Sequence, residues 1–131
     1  MGPKTPQDIQ QRTFDFGVRI VDLVDRLPRT LATESIARQL IRSGTSVGAN
    51  MQEADGAESK ADFIHKVSIA YKEARESRHW LATLKETKMK SDVETTGLWA
   101  ESDELVKILY TIIRNSRNSL NRPPHTNPTH R

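Results

Sequence analysis

The sequence predicts an all-α chain folded as an antiparallel, up-down-up-down four-helix bundle. Three observations carry this expectation. Apolar residues recur at alternating spacings of three and four along four long stretches, which is the seam of helices packed side by side. Prolines mark the ends of those stretches: Pro6 suits a first turn, Pro28 stops a helix, and three of the six prolines fall in the last nine residues. The apolar share of 35% beside 28% charged residues is modest, and long helices that bury one stripe need little more.

Helix one is expected from Thr5 to Leu27, with Thr5 as cap and Asp8 near the positive end. Its seam is Ile9, Thr13, Phe16, Ile20, Leu23 and Leu27. A second apolar line, Phe14, Val18, Val21 and Val24, lies beside the first and suggests a helix covered from outside as well. Helix two is expected from Thr33 to about Glu58, with the seam Ile36, Leu40, Gly44, Val47, Met51 and Ala54. Its middle, Ser43 to Asn50, is poor in helix formers, and each of its glycines costs about 1 kcal/mol relative to alanine. A break into a loop is one reading. The seam keeps phase across the stretch, which favours a continuous helix whose small residues let a neighbouring backbone approach.

Helix three is expected from Ser59 or Lys60 to Lys90, opened by a capping pair of Ser59 and Asp62. Phe63, Val67, Ala70, Ala74, Ser77, Leu81 and Leu84 form its seam, and the small centre predicts a waist against helix two. A connection follows at Ser91 to Gly97, unless Asp92 and Glu94 begin the next helix early. Helix four runs to Leu120 with the seam Leu98, Ser102, Leu105, Leu109, Ile112, Ser116 and Leu120, and Val106 and Ile113 lie alongside. Residues 1–120 are thus read as the bundle and 121–131 as a polar, Pro-rich, disordered tail. Short connections make neighbouring helices antiparallel.

Composition excludes several classes. There is no cysteine, hence no disulfide framework, cysteine zinc site or thiol nucleophile. The N-terminal MGPKTPQDIQ has no apolar h-region, so no signal peptide is expected, and no run is long enough to span a membrane. A cytoplasmic protein is the expectation. The formal net charge of +3 permits a nucleic-acid partner without demanding one.

No catalytic residue is assigned. Glu76 with His79 makes an E-x-x-H step and Asp62 with His65 its aspartate cousin, but di-iron bundles need such steps on different helices. Both lie on helix three, with the histidines about 21 Å apart along the axis. They read as surface salt-bridging residues, and no metal or cofactor is expected. Ser46, Asn50 and Glu53 share one face of helix two, next to the Val47/Met51 seam. A structural polar network that fixes register or subunit contacts is the preferred reading, and a ligand-contacting site the other. Basic residues form the last signal: Lys72, Arg75, Arg78, Lys85 and Lys88 on helix three, and Arg114 and Arg117 on helix four. Glu73, Glu76 and Glu86 interleave with them, so a solvated ionic surface competes with a phosphate-contacting patch. Few aromatics accompany these charges, and base stacking is not suggested.

The run from Gln39 to Leu81 resembles the bacterial four helix bundle protein family, also called the S23 or 23S rRNA intervening-sequence protein family. The likeness rests on the Ser46, Asn50, Glu53 step and on Lys60-Ala-Asp-Phe-Ile64, and extends more weakly from Phe14 to Ile113. The resemblance implies an antiparallel bundle assembled as a homopentameric ring. The family is also similar to the accessory variability proteins of diversity-generating retroelements, which bind nucleic acid and a reverse transcriptase through a basic outer surface. This chain departs in charge, because acidic residues are mixed among the basic ones. The resulting expectation is a non-enzymatic homo-oligomer, pentameric by resemblance, that binds structured RNA or a ribonucleoprotein through basic outer surfaces. Its partners would be structured RNA or DNA, and a reverse transcriptase or other nucleic-acid enzyme. The alternative is a protein-interaction scaffold without a nucleic-acid role.

Overall fold

The computed structural model describes residues 6–87 and 93–121. Four helices follow in order: α1 (Pro6–Asp25), α2 (Leu31–Asp55), α3 (Lys60–Glu86) and α4 (Val93–Asn121). Each packs on its sequence neighbours, and α1 also meets α4, which closes the square. Cross-helix pairs show the direction. Ser43 meets Ser77 while Glu53 meets Lys66, and Arg78 meets Asp103 while Tyr71 meets Tyr110. In each pair of helices the numbers rise on one side as they fall on the other, so neighbours are antiparallel.

The ends of the helices follow local chemistry. The last turn of α1 tightens, with the N–H groups of Arg26 and Leu27 donating to the carbonyls of Leu23 and Val24 at 3.1 Å. Pro28 follows, so α1 stops two residues short of the expected Leu27. Helix α2 begins earlier than expected, because Thr33 is not its first residue but the third position of a capping box. The Thr30 hydroxyl accepts from the Thr33 N–H at 3.2 Å, and the Thr33 hydroxyl accepts from the Thr30 N–H at 2.9 Å. The Ser59 cap of α3 forms as expected, its hydroxyl accepting from the Asp62 N–H at 3.0 Å. The Asp62 carboxylate reaches back to the N–H of Glu58, one residue beyond the cap, at 3.4 Å. Helix α3 closes at Thr87. Its expected extension to Lys90 lies outside the described residues, as does the tail beyond Asn121. Helix α4 takes the early start: it is already helical at Val93 and runs through Gly97.

Helix α2 is continuous through Ser43 to Asn50. Its polar side chains bond back to their own helix. Thr45 Oγ1 and Ser46 Oγ donate to the carbonyls of Ile41 and Arg42 at 2.6 Å, and Asn50 Nδ2 donates to that of Ser46 at 2.9 Å. The waist between α2 and α3 is present, marked by the buried bond from Ser77 Oγ to Ser43 Oγ at 2.9 Å. The glycines face elsewhere, toward α1. A Cβ on Gly44 would stand 2.8 Å from Ile20 Cγ1, and one on Gly48 would stand 3.0 Å from the Thr13 carbonyl oxygen. Gly17 answers from the other side, where a Cβ would stand 3.4 Å from the backbone of Thr45.

The expected seams are the core for most of the chain. Phe16, Ile20, Leu23, Leu40, Val47, Met51, Val67, Leu81, Leu84, Leu98, Leu105 and Leu109 are all buried. Ile36 and Phe63 are only half-buried, with Ile64 inward beside Phe63. The far end of α4 departs most: there Ile112 is half-buried, Leu120 is exposed, and Ile113 takes the inward place. The register of α1 on α4, set by Arg12 with Glu101 and Arg19 with Glu94, explains it. In that register α1 begins at Pro6 opposite about Lys107. Beyond that point α4 has α3 beside it but no α1, and only the α3-facing side is buried. The outer line of α1 is open in the single chain, with Phe14, Val18 and Val21 at 63%, 45% and 44% exposure.

Candidate nucleic-acid interface

The basic residues converge on the outer groove between α3 and α4. Trp99, Asp103, Lys107, Tyr110, Arg114 and Arg117 follow the three-and-four spacing that keeps them on one side of α4. Tyr71, Arg75, Arg78 and Lys85 do the same on α3, with Lys72 and His79 just outside them. An open groove of about 620 Å³ lies between, lined by Lys72, Arg75, Arg78, His79, Trp99 and Asp103 among others. From Trp99 to Arg117 the face runs about 27 Å along α4. That matches roughly eight phosphates along one strand of a duplex.

Three carboxylates of this face are already engaged, while Glu86 holds no ion pair among the described residues. Arg42 reaches over from α2 to Glu73 at 3.0 Å and to Glu76. Asp103 accepts from Arg78 at 2.8 Å and lies 3.0 Å from Lys107. Lys72, Arg75, Arg114 and Arg117 have no ion-pair partner among the described residues. A surface that looks mixed along the sequence is thus left with uncommitted cations. Of the expected contact residues, Arg78 is different: it is half-buried and ties α3 to α4 through Asp103. Lys85 lies with its Nζ 4.4 Å from the centre of the Trp99 ring, a cation–π contact. Lys88 lies outside the described residues.

The structure also brings aromatics into the face, which the linear spacing of the charges did not suggest. Tyr71 and Tyr110 meet with ring centres 6.1 Å apart, tilted by 43°. Arg75 sits over the Tyr71 ring at 5.7 Å. Lys107, Tyr71, Tyr110 and Trp99 are the residues that sequence reasoning missed here. The signal available was the spacing of 99, 103, 107, 110, 114 and 117 along α4, read as one stripe.

The Asp103 clamp carries a pH dependence. Lys107 first, and Arg78 second, hold its carboxyl below the ordinary carboxylate value. Such a group stabilises the fold above its unfolded pKa of about 3.9 and loses that contribution as pH falls through the lower folded value. Asp103→Asn is therefore expected to melt below the parent at pH 7, and the two should converge in acid, below the lowered folded value of this carboxyl. Circular-dichroism melts at pH 7 and in acid check this.

The side chains of Ser46, Asn50 and Glu53 do not bond to one another, and the one link within the set is Asn50 Nδ2 donating to the backbone carbonyl of Ser46. Ser46 and Asn50 are half-buried and satisfied by their own helix, while Glu53 is exposed, 3.9 Å from Lys66. Ser46 and Asn50 turn to carbonyls one turn back on α2, and Glu53 alone of the three meets α3, through Lys66. Within the chain, α2 is tied to α3 by Ser43 with Ser77 and by Arg42 with its two glutamates. Glu76 is held by Arg42, and His79 packs edge-on to Trp80, ring centres 4.9 Å apart. Asp62 serves the α3 cap. Among the described residues, no three of His, Asp and Glu converge as a metal site would require.

Four antiparallel helices with a filled core and a charged outer groove define an all-α bundle whose distinctive chemistry is on its surface. The chain belongs to the 23S rRNA-intervening sequence protein family, whose pattern matches residues 6–111. It is similar to a protein of unknown function from the S23 ribosomal protein family of Bacteroides thetaiotaomicron, known from a crystal structure. The two share 36% identity over 81% of this chain and 98% of that one, with a TM-score of 0.72. No curated protein matches the chain. Among the described residues no helix is long and apolar enough to cross a membrane.

Proposed function

We propose that the protein is a non-enzymatic, cytoplasmic homo-oligomer that binds structured RNA, alone or within a ribonucleoprotein, through the α3/α4 face. The observation that carries this reading is the set of uncommitted cations on that face, together with the engagement of its carboxylates Glu73, Glu76 and Asp103 by other cations. Binding of this kind is electrostatic: Lys and Arg displace counterions from phosphates, so affinity falls with salt. If the face binds in this way, protein purified at low salt carries excess absorbance at 260 nm that high salt removes. Material free of nucleic acid at low salt speaks for the scaffold alternative.

The homo-oligomer, a pentamer by the resemblance of the family motifs, has support on the opposite side of the bundle. The groove between α1 and α2, about 480 Å³, is lined by Phe14, Val18, Val21, Gly48, Ala49 and their neighbours, none of them charged. A second copy of this chain fits that face, because the α1/α2 and α3/α4 edges lie across the square from each other. Packing through the first leaves the second outermost on every subunit, and a ring repeats the cationic face. Val18→Glu places a charge where apolar area would be buried, and is expected to reduce the light-scattering mass to that of the 14.9 kDa chain. A monomeric parent at micromolar concentration removes the oligomer.

A further inference from the structure

We infer that Tyr110 is a stacking platform for an unpaired base, so that the α3/α4 face takes nucleic acid with unpaired nucleotides in preference to a plain duplex. This rests on the reading that the face binds nucleic acid, and adds which part of the ligand it recognises.

Tyr110 is 52% exposed in the middle of the cationic stripe. Its ring is backed by Tyr71, at 6.1 Å between centres, and Tyr71 is in turn covered by Arg75 at 5.7 Å. The exposed ring is therefore held in place before any ligand arrives, and little freedom is lost on stacking. Trp99, the other aromatic of the face, already has the Lys85 ammonium over it, 4.4 Å from the ring centre. Tyr110 is the ring left open. Lys107 precedes it by about 4.5 Å along the axis and Arg114 follows by about 6 Å. A nucleotide stacked on the ring thus has the unpaired Arg114 on one side for a phosphate, and on the other Lys107, which it would share with Asp103. Alternation of cations and aromatic rings is how strands are held without sequence preference, since every base has a π-face. Bases inside a duplex cannot reach such a ring, and the deep, narrow major groove of A-form RNA does not admit side chains.

Fluorescence anisotropy with labelled probes tests this. The probes are a mixed-sequence RNA 10-mer, the DNA 10-mer of the same sequence, and a blunt RNA duplex of equal length. The parent is expected to bind the 10-mers more tightly than the duplex. Tyr110→Ala and Tyr110→Leu should each weaken 10-mer binding about tenfold or more, with duplex binding changed by less than about twofold. Tyr110→Phe keeps the ring and should bind like the parent. The leucine variant retains apolar volume against Tyr71, so a weakening it shares with alanine comes from the missing ring. A preference for the RNA over the DNA 10-mer assigns part of the recognition to the 2′-hydroxyl; equal affinity assigns it to stacking and phosphate charge. In either case both probes must bind more weakly to Tyr110→Leu. If the parent binds all three probes and the leucine variant matches it, stacking is wrong and the cationic face stands. A parent that binds none of the probes overturns the cationic face and the stacking together.

Discussion

Reversing charge at Arg114 and Arg117 is expected to weaken RNA binding about tenfold or more near 100 mM salt, while leaving the melting temperature close to that of the parent. Both side chains are exposed on the last turns of α4 and hold no ion pair among the described residues, so Arg114→Glu/Arg117→Glu removes nothing from the fold. The same variant should flatten the dependence of log affinity on log salt by about 0.7 to 0.9 for each phosphate that is no longer neutralised. The choice of residues matters. Arg78→Glu would set a second carboxylate against Asp103, which now accepts from Arg78 at 2.8 Å. Weakened binding in that variant would mix a damaged α3/α4 interface with a missing phosphate partner. Reversal at Arg26 and Arg29, on the connection between α1 and α2 across the bundle from this face, is the matched control and should change affinity by less than about twofold.

Gly44→Ala is expected to destabilise the fold, against the direction of helix propensity. Alanine at a helix interior gains about 1 kcal/mol over glycine, and overpacking a filled core costs about 1 to 3 kcal/mol. The clash decides the sign here. The new methyl would stand 2.8 and 2.9 Å from Cγ1 and Cγ2 of Ile20, which is itself fully buried and has nowhere to move. A net loss of up to about 2 kcal/mol is the expected result in a denaturant titration. A double-mutant cycle identifies the cause. Ile20→Ala alone costs about 2 to 5 kcal/mol, and it should cost less in the Gly44→Ala background because the deleted atoms are those that clash. Additive effects would mean that the two residues do not meet as described.

Most of the fold was legible in the amino-acid order because a seam is a local pattern: Ile9 to Leu23 and Val67 to Leu84 announce their buried side through spacing alone. Helix α2 was legible for the same reason, since Gly44, Val47 and Met51 stay in phase across residues of poor helix propensity. The inward switch from Ile112 to Ile113 was not legible. It depends on where α1 begins relative to α4, and that is a property of the assembled bundle. Nor could spacing show that Gly44 and Gly48 serve α1 while Ser43 serves α3, because adjacent residues on a helix point to different neighbours. The candidate face was half legible. Its cations stand out along α3 and α4, but the pairing of Arg78 with Asp103, of Arg42 with Glu73, and of Tyr71 with Tyr110 each crosses between helices. Those pairings separate the cations that hold the bundle together from the free ones, and they bring together two rings, Tyr71 and Tyr110, that are far apart in the linear order.

The most direct measurement is a fluorescence-anisotropy titration of the parent protein with a structured RNA hairpin at several salt concentrations from about 50 to 200 mM. The cationic α3/α4 face predicts saturable binding whose affinity falls steeply and log-linearly with salt, and a shallower slope for Arg114→Glu/Arg117→Glu. No binding at the lowest salt, or binding that salt leaves unchanged, would contradict it and make those arginines and lysines ordinary solvated surface.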